Sequence, residues 1–209
     1  MSTYLLPLIA LVLSFMIGSI PTAFLMGRAR GIDIRQFGSG NVGATNAFRV
    51  LGKSWGLACL LIDMLKGLVP VMLFTPNLFF QAWHGYASYE WLIGLAAIAG
   101  HMFSPFLKFR GGKGVATSLG VVLAIAPWPM LIALATGLVL IWLTGYVSVG
   151  SIAGAALLPP LTLILQWGER PWTSVAITFF LALAIVWKHR ANIQRLRAGT
   201  EKRLFGGPR

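Results

Sequence analysis

The chain has 209 residues, of which 57% are hydrophobic and only 11% are charged, and its five acidic residues are too few to solubilise a globular surface this apolar. These proportions indicate an integral membrane protein. The formal net charge of +12 would by itself suggest nucleic-acid binding, but most Lys and Arg residues flank apolar segments, as at the cytoplasmic edges of membrane spans. We therefore expect no nucleic-acid partner.

Seven apolar segments follow one another, and each is a predicted membrane span. They cover about residues 5–26, 55–74, 89–107, 115–127, 128–146, 148–166 and 172–187. The first is too long for the core of a signal peptide, so we expect it to be retained. The fourth has about 13 residues where a crossing needs about 20, so it is either a short, tilted span or half of a hairpin broken at Pro127 and Pro129.

The distribution of Lys and Arg around the spans predicts their orientation. If the amino terminus is outside, the cytoplasmic segments contain most of the basic residues, whereas the external loops have Arg170 as their fixed cation, beside Glu90 and Glu169. We predict a single all-α membrane domain over residues 1–209, with about seven transmembrane helices. Its amino terminus lies outside and its carboxy terminus is cytoplasmic.

Two glycine-rich strings interrupt the apolar pattern: GSGNVGATN at 38–46, the first glycine string, and RGGKGVAT at 110–117, the second glycine string. Successive glycines allow backbone N–H groups to converge on an anion, and Arg49, Arg110 and Lys113 add positive charge beside them. Simple turns between spans would also use glycine, but they would not need so many hydrogen-bonding side chains. The strings therefore predict a phosphate-bearing substrate at the cytoplasmic surface.

We expect no cofactor and no metal ion. Gly38, Gly40 and Gly43 have the spacing of a dinucleotide fingerprint, but such a site needs a soluble βαβ unit, and these glycines are flanked by membrane spans. The second string fails as a nucleotide-binding P-loop, because Gly114 stands where Ser or Thr should follow the lysine. His, Asp and Glu do not cluster at the spacing of metal ligands.

Five further polar side chains, three at or within the apolar segments and two in the basic tail, are candidates for function. Asp63 and Lys66 stand three apart on the second span, so they either reach a polar cavity or form an ion pair that fixes helix packing. His101 either faces the cytoplasmic pocket or hydrogen-bonds a neighbouring helix. In the basic tail, His189 and Asn192 would project from one side of a helix.

These strings, with DMLKG at 63–67 and HRANIQRL at 189–196, resemble the bacterial acyl-phosphate:glycerol-3-phosphate acyltransferases, the PlsY family. The resemblance covers nearly the whole chain and includes a shorter motif at 147–151. It implies transfer of a fatty acyl group from acyl phosphate to the 1-hydroxyl of glycerol 3-phosphate, giving lysophosphatidic acid and inorganic phosphate, the first acylation of phospholipid synthesis. It also implies a multi-pass enzyme of the cell inner membrane, among membrane lipids, with its active site facing the cytoplasm.

The resemblance also implies which residues act. The catalytic candidates are Ser39, Lys113 and His101. The candidates for binding acyl phosphate are Gly38, Ser39, Gly40, Asn41, Gly112 and Lys113. The candidates for binding glycerol 3-phosphate are Arg49, Thr45, Asn46, Ser148, His189, Asn192 and Arg197. Ser151 is an alternative to Ser148 in the shorter motif.

The absence of a base dyad in the sequence suggests a mechanism. Another class of glycerol-phosphate acyltransferase uses His with Asp five positions later, but five positions after the three histidines stand Tyr89, Phe106 and Gln194. Acyl phosphate has a good leaving group, so positioning and charge stabilisation can replace an activated nucleophile. We expect direct attack by the glycerol hydroxyl, whose proton passes to a phosphate oxygen of a bound substrate. His101 is the second candidate for that proton.

Two other classes of protein remain as alternatives. A transporter of a phosphorylated metabolite would also bind anions, but its binding groups should lie near the bilayer midplane, where this sequence has only Asp63 and Lys66. A scaffold subunit would not need such polar strings and should tolerate Ala at Lys113. A monomer is compatible with the sequence, which leaves oligomeric state and acyl-chain preference open.

Overall fold

The structure is a computed structural model, and it describes residues 2–75, 89–165 and 171–204. Regular structure in these ranges is entirely helical. The α-helices are α1 (Ser2–Ser19), α2 (Thr22–Ala29), α3 (Ala44–Val50), α4 (Lys53–Phe74), α5 (Tyr89–Met102), α6 (Val115–Ile125), α7 (Pro127–Thr144), α8 (Val147–Leu165), α9 (Pro171–Lys188) and α10 (Arg190–Arg197). Two short 3-10 helices, Ile34–Gln36 and Pro105–Leu107, precede the first and second glycine strings.

Within the described ranges, four helical segments are long and apolar enough to cross a membrane: α4, α7, α8 and α5 extended to Leu107. Two bent pairs also qualify when each is taken as one span, namely α1 with α2, bent by 42°, and α9 with α10, bent by 56°. The 11-residue helix α6 is apolar but shorter. The predicted all-α, multi-pass membrane fold is confirmed. The count of seven spans and the external amino terminus stay predictions.

The first predicted span differs from the observed structure, because it is broken at Ile20 and Pro21. Proline cannot donate a backbone hydrogen bond and disfavours helical geometry in the residue before it, so α1 ends at Ser19. Helix α6 similarly ends just before Pro127, which begins α7.

Of the residues predicted for the external loops, Glu90 lies in the first turn of α5. Glu169 and Arg170 lie outside the described residues.

The chain divides into two compact units, Met1–Ile125 and Ala126–Arg209, called unit 1 and unit 2. In unit 1, α1 packs against α5, and α4 packs against α3, α5 and α6. In unit 2, α8 packs between α7 and α9. Both glycine strings belong to unit 1, whereas the shorter motif at 147–151 and the basic tail belong to unit 2. The single domain over residues 1–209 stays a prediction.

Close packing of α4 against α6 fixes the start of α6, where the second glycine string ends. A Cβ on Gly67 would overlap the carbonyl oxygen of Thr117, and a Cβ on Gly120 would overlap that of Met64. Small residues allow helix backbones to approach this closely, which is the usual way in which helices pack inside a membrane. The second glycine string is therefore attached to a helix whose position is set by backbone contact with α4.

Candidate active site

A single buried side chain sets the shape of the first glycine string. Asn46, on α3, is 1% exposed. Its Oδ1 accepts a hydrogen bond of 2.8 Å from the backbone N–H of Ser39, and its Nδ2 donates to the carbonyls of Ile34 and Phe37, both at 3.1 Å. One amide thus holds three points of the chain between residues 34 and 39. These hydrogen bonds order the chain on both sides of Gly38.

Two glycines of this string are required by its geometry. Gly38 and Gly40 have φ values of +65° and +71°, in the left-handed region that L side chains rarely adopt. A Cβ on Gly38 would also overlap Asn46 Oδ1. Gly38, Ser39 and Gly40 are exposed, so a ligand can approach the turn, although the N–H groups of Ser39 and Gly40 already donate to Asn46 Oδ1 and to the carbonyl of Phe37. The structure therefore presents the predicted acyl-phosphate loop as a rigid and accessible turn.

The remaining predicted residues of the first string and α3 lie close to this turn in sequence. Asn41, Thr45 and Arg49 are half-buried. Arg49 lies in the last turn of α3, and its Nε is buried. Beneath the string is a small apolar cluster of buried side chains that includes Ile34, Val42 and Leu107. The turn is thus anchored on its inner side by both apolar packing and the Asn46 amide.

The second glycine string follows a strained turn. Lys108 and Phe109 have φ values of 52° and 60°, which is uncommon for residues with side chains and is often seen at functional sites. The turn is closed by backbone hydrogen bonds from Phe109 to Ser104 at 2.9 Å and from Gly112 to His101 at 3.1 Å. Lys113 is half-buried, two residues before α6 begins. This string is therefore held from the end of α5.

The two ionisable side chains on the second span form an ion pair. Lys66 Nζ lies 2.6 Å from Asp63 Oδ1, and both side chains are buried. Of the two alternatives drawn from the sequence, the ion pair is therefore the one observed. His101 is also buried, and its Nδ1 lies 3.9 Å from the same carboxylate oxygen. His101 thus lies beside Asp63 and the second glycine string.

In unit 2, a carboxylate joins the predicted residues of the shorter motif and the tail. Glu201 Oε1 accepts hydrogen bonds from Ser148 Oγ at 3.1 Å and from Asn192 Nδ2 at 2.5 Å. Its Oε2 accepts one from Arg195 Nε at 2.6 Å. Ser148 and Asn192 are buried together at this carboxylate, which favours Ser148 over Ser151 as the functional serine of the motif.

Two further predicted residues, His189 and Arg197, lie in the same tail. His189 is buried between α9 and α10, and its Nδ1 is 2.8 Å from the carbonyl of Ile185. A ring nitrogen this close to a carbonyl must carry the proton, which leaves Nε2 of the neutral ring as an acceptor. Arg197 is exposed in the last turn of α10. Both residues stay predicted ligands.

The sequence analysis missed Glu201. The available signal was a single acidic residue within a strongly basic tail, which is the arrangement expected of a carboxylate with a specific partner. Burial by itself raises the pKa of Glu201. The hydrogen bonds from Asn192 and Arg195, the charge of Arg195 and the hydrogen bond from Ser148 outweigh burial, so the pKa lies below its usual value. Glu201 is therefore an anion that organises the polar residues of unit 2.

This carboxylate should make the stability of the protein depend on pH. Because the folded pKa of Glu201 is lowered, its stabilisation is present above the usual pKa and is lost as the pH falls through the folded value. We expect the thermal unfolding midpoint in detergent to fall between about pH 5 and pH 3, and Glu201→Gln to show less of this fall. Thr200→Ala, at an exposed neighbour, is the control. Parallel curves for wild type and Glu201→Gln would contradict this role.

Comparison with known proteins shows similarity along nearly the whole chain. The family model described as glycerol-3-phosphate acyltransferase matches residues 8–199. Glycerol-3-phosphate acyltransferase 1 of Deinococcus radiodurans is 48% identical over 197 residues, covering 94% of this chain and 95% of the relative. The glycerol-3-phosphate acyltransferase of Geobacter sulfurreducens is 46% identical over 197 residues, covering 94% of this chain and 97% of the relative.

Two crystal structures of PlsY, an integral membrane glycerol 3-phosphate acyltransferase, are also similar to the structure. The glycerol 3-phosphate form matches with a TM-score of 0.82 and 34% identity, covering 96% of each chain. The lysophosphatidic acid form matches with a TM-score of 0.79 and 34% identity, covering 96% of this chain and 95% of the other. Sequence and fold agree, and the resemblance seen in the glycine strings is confirmed: the chain belongs to the glycerol-3-phosphate acyltransferase family.

Proposed function

We propose that this protein transfers a fatty acyl group from acyl phosphate to the sn-1 hydroxyl of glycerol 3-phosphate, giving lysophosphatidic acid and inorganic phosphate. This reaction is the first acylation of phospholipid synthesis. The observation that carries the proposal is the similarity over nearly the whole chain to an acyltransferase whose structures are of a glycerol 3-phosphate form and a lysophosphatidic acid form. The two cationic glycine strings support it, since both proposed substrates carry phosphate.

The choice of acyl phosphate as donor rests on the chemistry of the residues. The two glycine strings, and the polar residues around Glu201 in unit 2, offer hydrogen-bond donors and positive charges. The sequence has no histidine followed five positions later by aspartate, so it lacks the base dyad of the other acyltransferase class. An acyl phosphate is a mixed anhydride, in which the departing phosphate is already a good leaving group. Orientation and stabilisation of charge can then supply most of the rate enhancement without an activated nucleophile.

The proposed reaction is a single displacement. The sn-1 hydroxyl oxygen of glycerol 3-phosphate attacks the acyl carbonyl carbon and forms the ester C–O bond. The bond between that carbon and the phosphate oxygen breaks, and phosphate leaves with the electron pair. The hydroxyl proton passes to a phosphate oxygen of a bound substrate. No acyl-enzyme forms in this scheme.

In unit 1, the turn Gly38–Ser39–Gly40 is the proposed cradle for the donor phosphate. The exposed Ser39 hydroxyl can donate a hydrogen bond to an anion, whereas the backbone N–H groups of Ser39 and Gly40 already donate to Asn46 Oδ1 and to the carbonyl of Phe37. Asn41 and Gly112 are further proposed contacts. Lys113 is the proposed catalytic cation, because its ammonium would neutralise the charge that develops on the departing phosphate. Among these side chains, Lys113 is therefore expected to affect turnover most.

The ligands of glycerol 3-phosphate are proposed unit by unit. In unit 1 they are Arg49, Thr45 and Asn46, of which Asn46 acts by ordering the first glycine string. In unit 2 they are Ser148, Asn192, His189 and Arg197. Glu201 supports this second group, because a carboxylate that accepts hydrogen bonds from Ser148 and Asn192 fixes the directions of their remaining polar atoms. We further propose that the protein lies in the cell inner membrane with these residues facing the cytoplasm, as the Lys and Arg distribution indicates.

The proposed reaction is tested with purified protein in detergent, given glycerol 3-phosphate and either palmitoyl phosphate or palmitoyl-coenzyme A. We expect lysophosphatidic acid and inorganic phosphate from the acyl phosphate, and no product from the thioester. Equal rates from both donors would contradict the choice of donor. No product from either donor, in protein that unfolds cooperatively on heating, would contradict the acyltransferase proposal itself.

The role of Lys113 is tested by Lys113→Met in the same assay. Loss of a preorganised charge at a leaving group typically costs about 100- to 1,000-fold in kcat, and we expect a loss of that size. Lys108→Asn is the matched control, because Lys108 is an exposed cation of the preceding turn and Asn tolerates its left-handed backbone. Equal loss of turnover in both variants would show that only the general positive charge matters.

A further inference from the structure

A buried charged network reaches from the break between α1 and α2 to the second glycine string. Asp63 and Lys66 on α4 are only 1% and 5% exposed. Lys66 Nζ donates a hydrogen bond of 2.6 Å to the carbonyl of Ile20 and lies 2.6 Å from Asp63 Oδ1. The contact with Asp63 is an ion pair rather than a well-directed hydrogen bond. The Lys66 ammonium is thereby held between the break at Ile20 and the Asp63 carboxylate of its own helix.

The network continues through His101 at the end of α5. His101 Nδ1 lies 3.9 Å from Asp63 Oδ1, and the ring is 8% exposed. The same residue contacts the second glycine string in two ways. Its carbonyl accepts the hydrogen bond from the N–H of Gly112, and a Cβ on Gly112 would overlap its Nε2. The His101 ring is thus enclosed between a carboxylate and the backbone of Gly112.

The cost of this arrangement suggests a purpose other than stability. Charged groups inside a membrane span are expensive, and a buried ion pair often contributes no more to stability than apolar residues of similar volume. Such a pair does impose a defined geometry on its neighbours. Here the neighbour at the end of the network is Gly112, whose backbone leads directly into Lys113.

We propose that Asp63, Lys66 and His101 are positioning residues for Lys113. The ion pair fixes the carboxylate, the carboxylate fixes the His101 ring, and the ring fixes the backbone at Gly112. Lys113 is then held where its ammonium meets the departing phosphate. This last step rests on the proposed function. His101 accordingly acts through Gly112 and takes no proton from the substrate.

The first test removes both charges together, in Asp63→Asn/Lys66→Met, so that neither is left buried without a partner. We expect kcat to fall about 10- to 100-fold while the KM for glycerol 3-phosphate stays within about 3-fold, because small displacements of a catalytic group act mainly on the chemical step. A lower unfolding midpoint with unchanged kcat would overturn the inference. Cys59→Ala, which removes a weak thiol contact to Asp63, should keep wild-type kcat.

A double-mutant cycle tests the inference even if Asp63→Asn/Lys66→Met does not fold, because the variants of the cycle keep the Asp63–Lys66 ion pair. Gly112→Ala places a methyl group against the His101 ring, whereas Gly111→Ala places one against the His101 carbonyl. We expect the shorter side chain in His101→Asn to relieve the first clash and not the second. The loss of kcat/KM caused by Gly112→Ala should be about 10-fold smaller in the His101→Asn background, and that caused by Gly111→Ala should be unchanged. Equal losses in both backgrounds would overturn the inference.

Backbone hydrogen exchange separates this inference from the proposed function, because it needs no substrate. We expect the amides of residues 111–114 to exchange faster in Asp63→Asn/Lys66→Met and in His101→Asn than in the wild type, while those of residues 38–40 keep their rate. Faster exchange in a protein that makes no product from acyl phosphate would contradict only the proposed function. Unchanged exchange in an active protein would overturn only the positioning role.

Discussion

Hydrogen bonds to buried residues hold the first glycine string, the second glycine string and the tail after α10 in place. The first glycine string depends on the Asn46 amide, and the tail after α10 depends on the Glu201 carboxylate. The second glycine string donates a backbone hydrogen bond from Gly112 to the carbonyl of His101 at the end of α5, and it also contacts the ring of His101. Glycine-rich segments lose much conformational freedom when they are ordered, so they keep one shape only where such contacts fix them.

A membrane makes this kind of support both necessary and costly. Inside lipid, polar groups must be satisfied within the protein, because no water is available to them. Asn46 and Lys66 meet this requirement through carbonyls of neighbouring segments of unit 1, and Asp63 is paired with Lys66 on its own helix. The exposed surfaces of the spans can then remain apolar while polar groups concentrate at the strings. Such rigid polar loops suit a reaction in which the protein orients two phosphate-bearing substrates and neutralises charge.

Local sequence patterns predicted the helical spans and the two glycine strings. They did not predict the contacts between residues that are distant in the sequence. Apolar runs marked the spans, and the mixture of glycine, polar and basic residues marked both strings, because each pattern lies within a short stretch of chain. The Ser148–Glu201 hydrogen bond joins residues 53 positions apart, and no local pattern reports such a pairing. The break at Pro21 was missed because the apolar run continues through it. For Asp63 and Lys66, spacing permitted an ion pair but did not show that His101 would lie beside it.

We propose that the protein positions its substrates for direct transfer and never carries the acyl group itself. Isotope exchange tests this most directly: purified protein is incubated with palmitoyl phosphate and labelled inorganic phosphate, without glycerol 3-phosphate. Direct transfer predicts no label in palmitoyl phosphate, although the same preparation makes lysophosphatidic acid once glycerol 3-phosphate is added. Enzyme-dependent labelling of palmitoyl phosphate would show that an acyl-enzyme forms and releases phosphate reversibly, and it would contradict the claim.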